Sequence, residues 1–290
     1  MHRTLRAAAC LLAAAGSLGL TASAAQSKTL DIVIAGDSYS SGVGASGDNY
    51  GGTCLRNKRT WGEVYANLAR AKGLTVNVNN VACGGGVVKD LDGQMAAVNS
   101  DTDLVLVTIG GNDVGFANIV IQCFTPVVSD AARCKSAVEA GKAKVPSVES
   151  AALERLTTLR GKLRPGAKVA VASYPYLANP NTYLLSTLFS PKYDAGKGAR
   201  ELGDLGDQTI LSAAAKANAA AGYQYVTFVP VKDRFVGHEP NQDPYVTNPN
   251  RWVNEFDLAG PYHPNDAGYA AMGAATMSVA GTGGDFGVSQ

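Results

Sequence analysis

Short apolar runs alternate with helical patterns along most of this chain. Leu30–Ala35 is an apolar-rich run that ends at Gly36 and predicts a buried first strand. Trp61, Val64, Tyr65 and Leu68 recur at helical spacing and predict a helix over 61–72. Val76–Val81 alternates valine with asparagine, which suits a second strand nearer a sheet edge. Leu91–Val98 reads as helix, and Leu104–Ile109 is the strongest strand in the sequence. A helix over Val148–Leu163 is stopped before Pro165-Gly166. Strands at Val169–Ser173 and Tyr225–Val229 bracket an alanine-rich helix from about Gln208 to Ala221, and Ala267–Ala280 predicts a closing helix. Five apolar strands separated by helices imply an α/β fold with a parallel sheet covered on both faces, a three-layer α/β/α arrangement. In such sheets ligands bind beyond the carboxyl ends of the strands.

The first residues follow a different pattern. Arg3 and Arg6 precede an apolar run from Ala7 to Leu20, and Thr21–Ala25 supplies small residues for a peptidase. The run is about 14 residues, too short to span a bilayer and suited to a secretory leader. Residues 1–25 are therefore expected to be removed, leaving 26–290 as a single domain, secreted and without a transmembrane anchor. A lipoprotein attachment at Cys10 does not fit, because most of the apolar run lies after that cysteine. Charge changes the picture little: 25 basic residues face 24 acidic ones, and loss of Arg3 and Arg6 takes the net charge from +1 to −1. A nucleic-acid binder would carry a concentrated basic face, so that class is set aside. Hydrophobic residues make up 46% of the chain, too many for a disordered protein.

Once Cys10 is lost, Cys54, Cys83, Cys123 and Cys134 remain. Four cysteines in an exported chain read as two disulfides with three open pairings, of which the nearest-neighbour one, Cys54–Cys83 and Cys123–Cys134, is expected. No pair has the CxxC spacing of a zinc site, and His238 and His263 are the only histidines past the leader, so no metal and no cofactor are expected.

Candidate chemistry stands just after the strands. The first runs into Gly36-Asp37-Ser38-Tyr39-Ser40-Ser41-Gly42, the second into Cys83-Gly84-Gly85-Gly86, and the third into Gly110-Gly111-Asn112-Asp113. Tyr262-His263-Pro264-Asn265 opens the last helix. A hydroxyl, glycine backbone, an amide and an imidazole are the parts that acyl transfer needs: a nucleophile, a base and donors for an oxyanion.

These blocks, in this order over essentially the whole chain past the leader, resemble the SGNH, or GDSL, hydrolases. The stretches Gly36–Gly42 and Thr108–Phe116, and the cysteine placement, are similar to the secreted actinobacterial lipase/esterase branch, although a third disulfide often found there has no counterpart. The resemblance implies a flavodoxin-like sheet and a serine carboxylic ester hydrolase acting as a monomer through an acyl-serine intermediate. It makes Ser38 the nucleophile and His263 the general base. The oxyanion donors would be the Ser38 N–H, the Gly85 N–H and the Asn112 amide, with the glycine register open by one residue. Asp37 and Asp113 are expected to hold loops by accepting backbone N–H bonds, and His238 to be structural. One departure concerns the partner of the histidine. The family pattern places an aspartate three residues before it, where this chain has Gly260. The Gly260 carbonyl is expected to take that role, with Asp257 as the alternative, and Gly260→Ala should then matter little.

Small-molecule or lipid esters are the expected substrates. Tyr174, Tyr176 and Leu177 follow the fourth strand, and Tyr183–Phe189 is an apolar segment that either lines the cleft to hold an acyl chain or belongs to the core. The alternatives are a carbohydrate acetyl esterase acting on polysaccharide and, in another class, a non-catalytic binding protein on the same fold.

Overall fold

Apolar runs become strands where both faces of the run are covered. A computed structural model describes residues 29–179, 183–187, 190–240, 247–255 and 260–281. The expected leader lies outside them. In chain order the strands are β1 (Thr29–Gly36), β2 (Thr75–Asn80), β3 (Leu104–Thr108), β4 (Lys168–Ala172), β5 (Leu184–Thr187), β6 (Ser190–Asp194) and β7 (Val226–Val229). Five of them form one parallel sheet in the order β2-β1-β3-β4-β7. That is the flavodoxin-like order, with its switch point between β1 and β3.

Alternate residues of each central strand enter different cores. Leu30, Ile32 and Ile34 of β1 join Leu104 and Leu106 of β3 on one face, under the helices α2 (Trp61–Ala71) and α7 (Asp266–Ala280). Val33, Val105, Val107, Val169 and Val171 fill the other face, under α5 (Ala131–Lys162) and α6 (Ala195–Ala221). The remaining helices are short: α1 (Ser38–Ser41), α3 (Leu91–Gln94) and α4 (Phe116–Ile119). The helix read over 91–98 is thus α3 followed by a 3₁₀ turn, Met95–Ala97.

Two helices start much earlier than their apolar spacing predicts. α5 begins 17 residues before Val148 and contains Pro146. The proline removes one N–H bond, but Ala137, Val138, Gly141 and Val145 are buried, and Cys134 is bonded to Cys123. Tertiary packing holds the first half in helical form. α6 begins at Ala195 through a stretch containing Gly196, Gly198, Gly203 and Gly206, residues that lower intrinsic helicity. Gly196 and Gly198 both lie in close packing: a Cβ at Gly196 would come within 3.1 Å of the Asn179 carbonyl oxygen and 3.2 Å of the Tyr183 Cβ, and one at Gly198 would displace the Tyr193 phenol. Tyr193 belongs to an antiparallel ribbon of β5 and β6 that the sequence does not announce.

The ribbon decides the role of the 183–189 segment, as far as it is described. Tyr183 and Leu185 are buried in a third core with Phe124, Cys123 and Tyr262, while Leu184 faces solvent. Both disulfides are those of the nearest-neighbour pairing, Cys54–Cys83 and Cys123–Cys134. No described helix is long and apolar enough to cross a membrane.

Candidate active site

β1 ends at Gly36, whose φ of +112° and contact with β3 leave no room for a side chain: a Cβ would lie 2.1 Å from the Thr108 carbonyl oxygen. The chain then turns straight into α1. Asp37 caps that helix by accepting from the Tyr39 N–H at 3.0 Å, and Ser38 is its first residue. From the opposite side, α7 is capped by Asn265, and His263 stands just before it. The His263 Nε2 lies 2.7 Å from the Ser38 Oγ, and both residues are 8% exposed.

The other ring nitrogen fixes which atom carries the proton. Nδ1 lies 2.9 Å from the Pro261 carbonyl oxygen, which can only accept. Nδ1 therefore bears the hydrogen, and Nε2 presents its lone pair to the Ser38 hydroxyl. Burial pushes the His263 pKa down from 6.5 to about 4, against the opposing pull of the Pro261 and Gly260 carbonyls. A neutral imidazole beside a hydroxyl can take its proton.

The carbonyl at 2.9 Å from Nδ1 is thus that of Pro261, where Gly260 was expected. The Gly260 oxygen accepts the backbone N–H of His263 at 3.1 Å and also acts on the ring. Tyr262 adopts a left-handed φ of +59°, and that turn brings the Pro261 carbonyl round to Nδ1. Gly260 is also not replaceable: its φ is +76°, and a Cβ would lie 2.7 Å from the Gly44 backbone. Asp257 lies outside the described residues. Asp266, on the other side of the histidine, is taken by Ser46 and Arg59.

Asn112 occupies the turn after β3, and its Nδ2 donates to the Gly86 carbonyl at 2.9 Å. One amide hydrogen remains for a ligand. In the glycine loop, the Gly84 N–H donates to Cys54 and the Gly86 N–H to Cys83. Among the described residues Gly85 alone of the three keeps its N–H without a protein acceptor. Its φ is +79°, and nothing lies within 4 Å of where a Cβ would be. Asp113 ties the two loops together by accepting the Val88 N–H at 3.0 Å.

A family model described as GDSL-like lipase/acylhydrolase matches residues 34–271. The chain belongs to the GDSL-like lipase/acylhydrolase family. It is 32% identical to Lipase 1 of Streptomyces coelicolor, covering 89% of this chain and 90% of that one. A Streptomyces rimosus lipase is also 32% identical, over 92% of this chain and 94% of its own. The crystal structure of phospholipase A1 from Streptomyces albidoflavus NA297 superposes with a TM-score of 0.67 at 30% identity, covering 86% and 98% of the two chains. This protein is accordingly a carboxylic ester hydrolase of the lipase/esterase type, a family whose members work through an acyl-enzyme.

As a GDSL hydrolase the chain brings Ser38 and His263 into contact, and places Asn112 and Gly85 on loops tied to one another. His238 stands apart, stacked on Trp252 with ring centres 3.7 Å apart and its Nδ1 on the Asn250 carbonyl. Asp37 holds the Ser38 turn as the sequence suggested, but the side chains that in turn hold Asp37 and Gly36 were not legible there. Asp37 is buried and accepts from the Thr108 hydroxyl at 2.8 Å and from the Tyr174 hydroxyl. Burial raises its pKa to about 6 in spite of these donors. Tyr174 also accepts the Gly111 N–H at 3.2 Å, so one phenol joins the turn after β1 to the turn carrying Asn112. Gln94 grips the Gly36 peptide from the other side, through its Nε2 to the carbonyl at 2.9 Å and its Oε1 from the N–H at 2.6 Å. Only the glycine-rich turns themselves signalled that such support was needed.

Behind the Asn112 turn lies a cavity of about 110 Å³ between the sheet, α5 and α6. Val114, Ile119, Val148, Leu202 and Ile210 give it apolar walls, and it is also lined by Tyr174 and by Tyr39 and Phe116, whose ring centres lie 4.9 and 5.5 Å from that of His263. No described residue of the 183–189 segment reaches it. Of the two readings of this segment, its described residues follow the core one, because Tyr183 and Leu185 pack in the third core.

Proposed function

We propose that the protein hydrolyses acyl esters of lipids, with Ser38 as nucleophile and His263 as base. His263 Nε2 removes the Ser38 proton as Oγ bonds to the ester carbonyl carbon, then passes that proton to the leaving alcohol. Water releases the acyl group by the same route in reverse. The Ser38 N–H, Gly85 N–H and Asn112 Nδ2 would receive the oxyanion, and the Pro261 carbonyl keeps the histidine in the tautomer that accepts at Nε2. The observation that carries the reading is the 2.7 Å contact of a neutral, oriented imidazole with a serine hydroxyl beside an apolar cavity. The two disulfides and an extracellular Streptomyces rimosus lipase among the similar structures support action outside the cell.

A chain-length series of p-nitrophenyl esters tests the lipid reading. Gly206 lines the cavity and has no atom within 4 Å of a Cβ position, so Gly206→Leu should fill that space. Rates on long acyl chains should fall at least about tenfold, equivalent to about 1.4 kcal/mol, with acetyl ester turnover kept. A wild-type profile highest on acetyl esters and indifferent to Gly206→Leu would favour the polysaccharide acetyl esterase.

A further inference from the structure

One apolar tip beside the site is covered by nothing in the described chain. Val127 is fully exposed, at 105% of its reference area, and adopts a φ of +67° that β-branched residues rarely take. Val128 and Ile121 are exposed too, at 42% and 43%. A single exposed valine is ordinary. Here, however, the loop is tied so as to present them. The Val128 and Ser129 N–H groups donate to the Thr125 carbonyl at 3.2 and 2.9 Å, and the Asp130 N–H donates to Gln122 at 3.1 Å. Arg133 donates to the Val128 carbonyl at 3.0 Å, and the Cys123–Cys134 disulfide closes the loop.

The tip is continuous with the walls of the site. Phe116, whose ring centre is 5.5 Å from that of His263, opens α4, and a π-helical turn over Val120–Phe124 carries the chain on to the valines. Phe124 packs 5.3 Å from Tyr262, the neighbour of His263, and its carbonyl receives the Tyr262 and Tyr183 hydroxyls. Lys135 and Lys192 line one hollow with Ala131, Ala132, Ser136, Glu139 and Tyr193, and neither lysine has a carboxylate partner among the described residues. Asp130 is paired with Arg133, and Glu139 with Lys142, which also holds Glu201.

We propose that Ile121, Val127 and Val128, flanked by Lys135 and Lys192, dock the protein on an anionic lipid surface. The valines leave water for the boundary between headgroups and acyl chains, and the lysines meet the negative surface within a Debye length. The tip borders the His263 loop, so docking brings the mouth of the site to the lipid layer. The purpose of this surface rests on the lipid-ester reading, but its existence is measurable without turnover.

The test is sedimentation with vesicles of phosphatidylglycerol and phosphatidylcholine, using Ser38→Ala protein so that the lipid stays intact. Val127→Asn/Val128→Ser should weaken vesicle binding by about fivefold or more, given that each buried methylene is worth a few-fold in partitioning. Asparagine tolerates the left-handed backbone, so thermal stability should not fall. Lys135→Gln/Lys192→Gln should weaken binding to phosphatidylglycerol vesicles alone and remove most of its salt dependence. In the catalytically intact background both double variants should hydrolyse p-nitrophenyl acetate at the parent rate. Unchanged vesicle binding in both variants, an equal loss of soluble-ester turnover, or no vesicle binding by the parent protein would each overturn the docking surface. The last of these would leave the ester hydrolase standing, whereas failure of that reading would show as absent turnover on every soluble ester.

Discussion

Ser38 and His263 meet at 2.7 Å, yet the two sides of that contact are built from different materials. On the serine side a buried carboxylate, Asp37, gathers the Tyr39 N–H and the hydroxyls of Thr108 and Tyr174 around one turn. On the histidine side the polar partners are main chain: the Pro261 carbonyl at Nδ1, the Gly260 carbonyl on the backbone N–H, and the Tyr262 carbonyl held by the Tyr39 hydroxyl. The carboxylate is thus used to shape backbone, and a carbonyl is used to orient the ring. A carbonyl fixes the tautomer as well as a carboxylate does, but stabilises a transient imidazolium less. The contrast also appears in the two pKa values. Burial with few charged neighbours drives the histidine down to about 4, and burial drives Asp37 up to about 6.

The largest expected effect comes from removing either partner of the contact. Ser38→Ala or His263→Ala should lower kcat by roughly 10⁴-fold or more, and the double variant little further, because the pair acts as a unit. Equal or additive small losses, measured by steady-state hydrolysis of a soluble ester, would separate the two sides again. Asn112→Ala should cost about 10²–10³-fold in kcat with little change in KM, as for other oxyanion donors. A loss confined to KM would remove Asn112 from the transition state.

Stability as a function of pH should show the opposed shifts. Asp37 binds its proton more tightly folded than unfolded, so its contribution is full below 3.8 and lost as pH rises through about 6. His263 behaves oppositely: its contribution is full above 6.5 and lost as pH falls through about 4. In urea titrations the stability gap between wild type and Asp37→Asn should shrink from pH 4 to 6, and that between wild type and His263→Gln should widen from pH 4 to 6.5. Each change should be up to about 3 kcal/mol. Gaps that move the other way would contradict the burial of these groups. The acid limb of kcat/KM on a soluble ester should likewise fall near pH 4 rather than 6.5.

The smallest effect is expected at Asp257. With the Pro261 carbonyl at Nδ1, Asp257→Asn should keep kcat within about fivefold, whereas loss of a triad carboxylate costs about 10⁴-fold in serine proteases. A loss above about 100-fold in folded protein would move the histidine side to a carboxylate as well.

What could be read from the chain follows from how local each signal is. β1, β3 and β4 were legible because buried parallel strands are apolar on both faces, and the turns after them because glycine, serine and asparagine are placed there for chemistry. The first halves of α5 and α6 were not, because Pro146 and four glycines argue locally against helices that packing then sustains. The clamp on Asp37 was hidden for another reason. Thr108 and Tyr174 lie 71 and 137 residues away from it, and a polar pair at that separation leaves no periodic trace. Gly260 was placed correctly beside the histidine, but the carbonyl that reaches Nδ1 depends on the left-handed turn at Tyr262, which a tyrosine does not advertise.

The most direct test of the central claim is to trap the acyl group. The protein would be quenched in acid during turnover of p-nitrophenyl butyrate, digested, and the butyryl adduct located by mass spectrometry. The account predicts one adduct, on the Ser38 hydroxyl, that accumulates in Asn112-intact protein and is absent from His263→Ala protein. An adduct on another side chain, or steady turnover with none on Ser38, would contradict it.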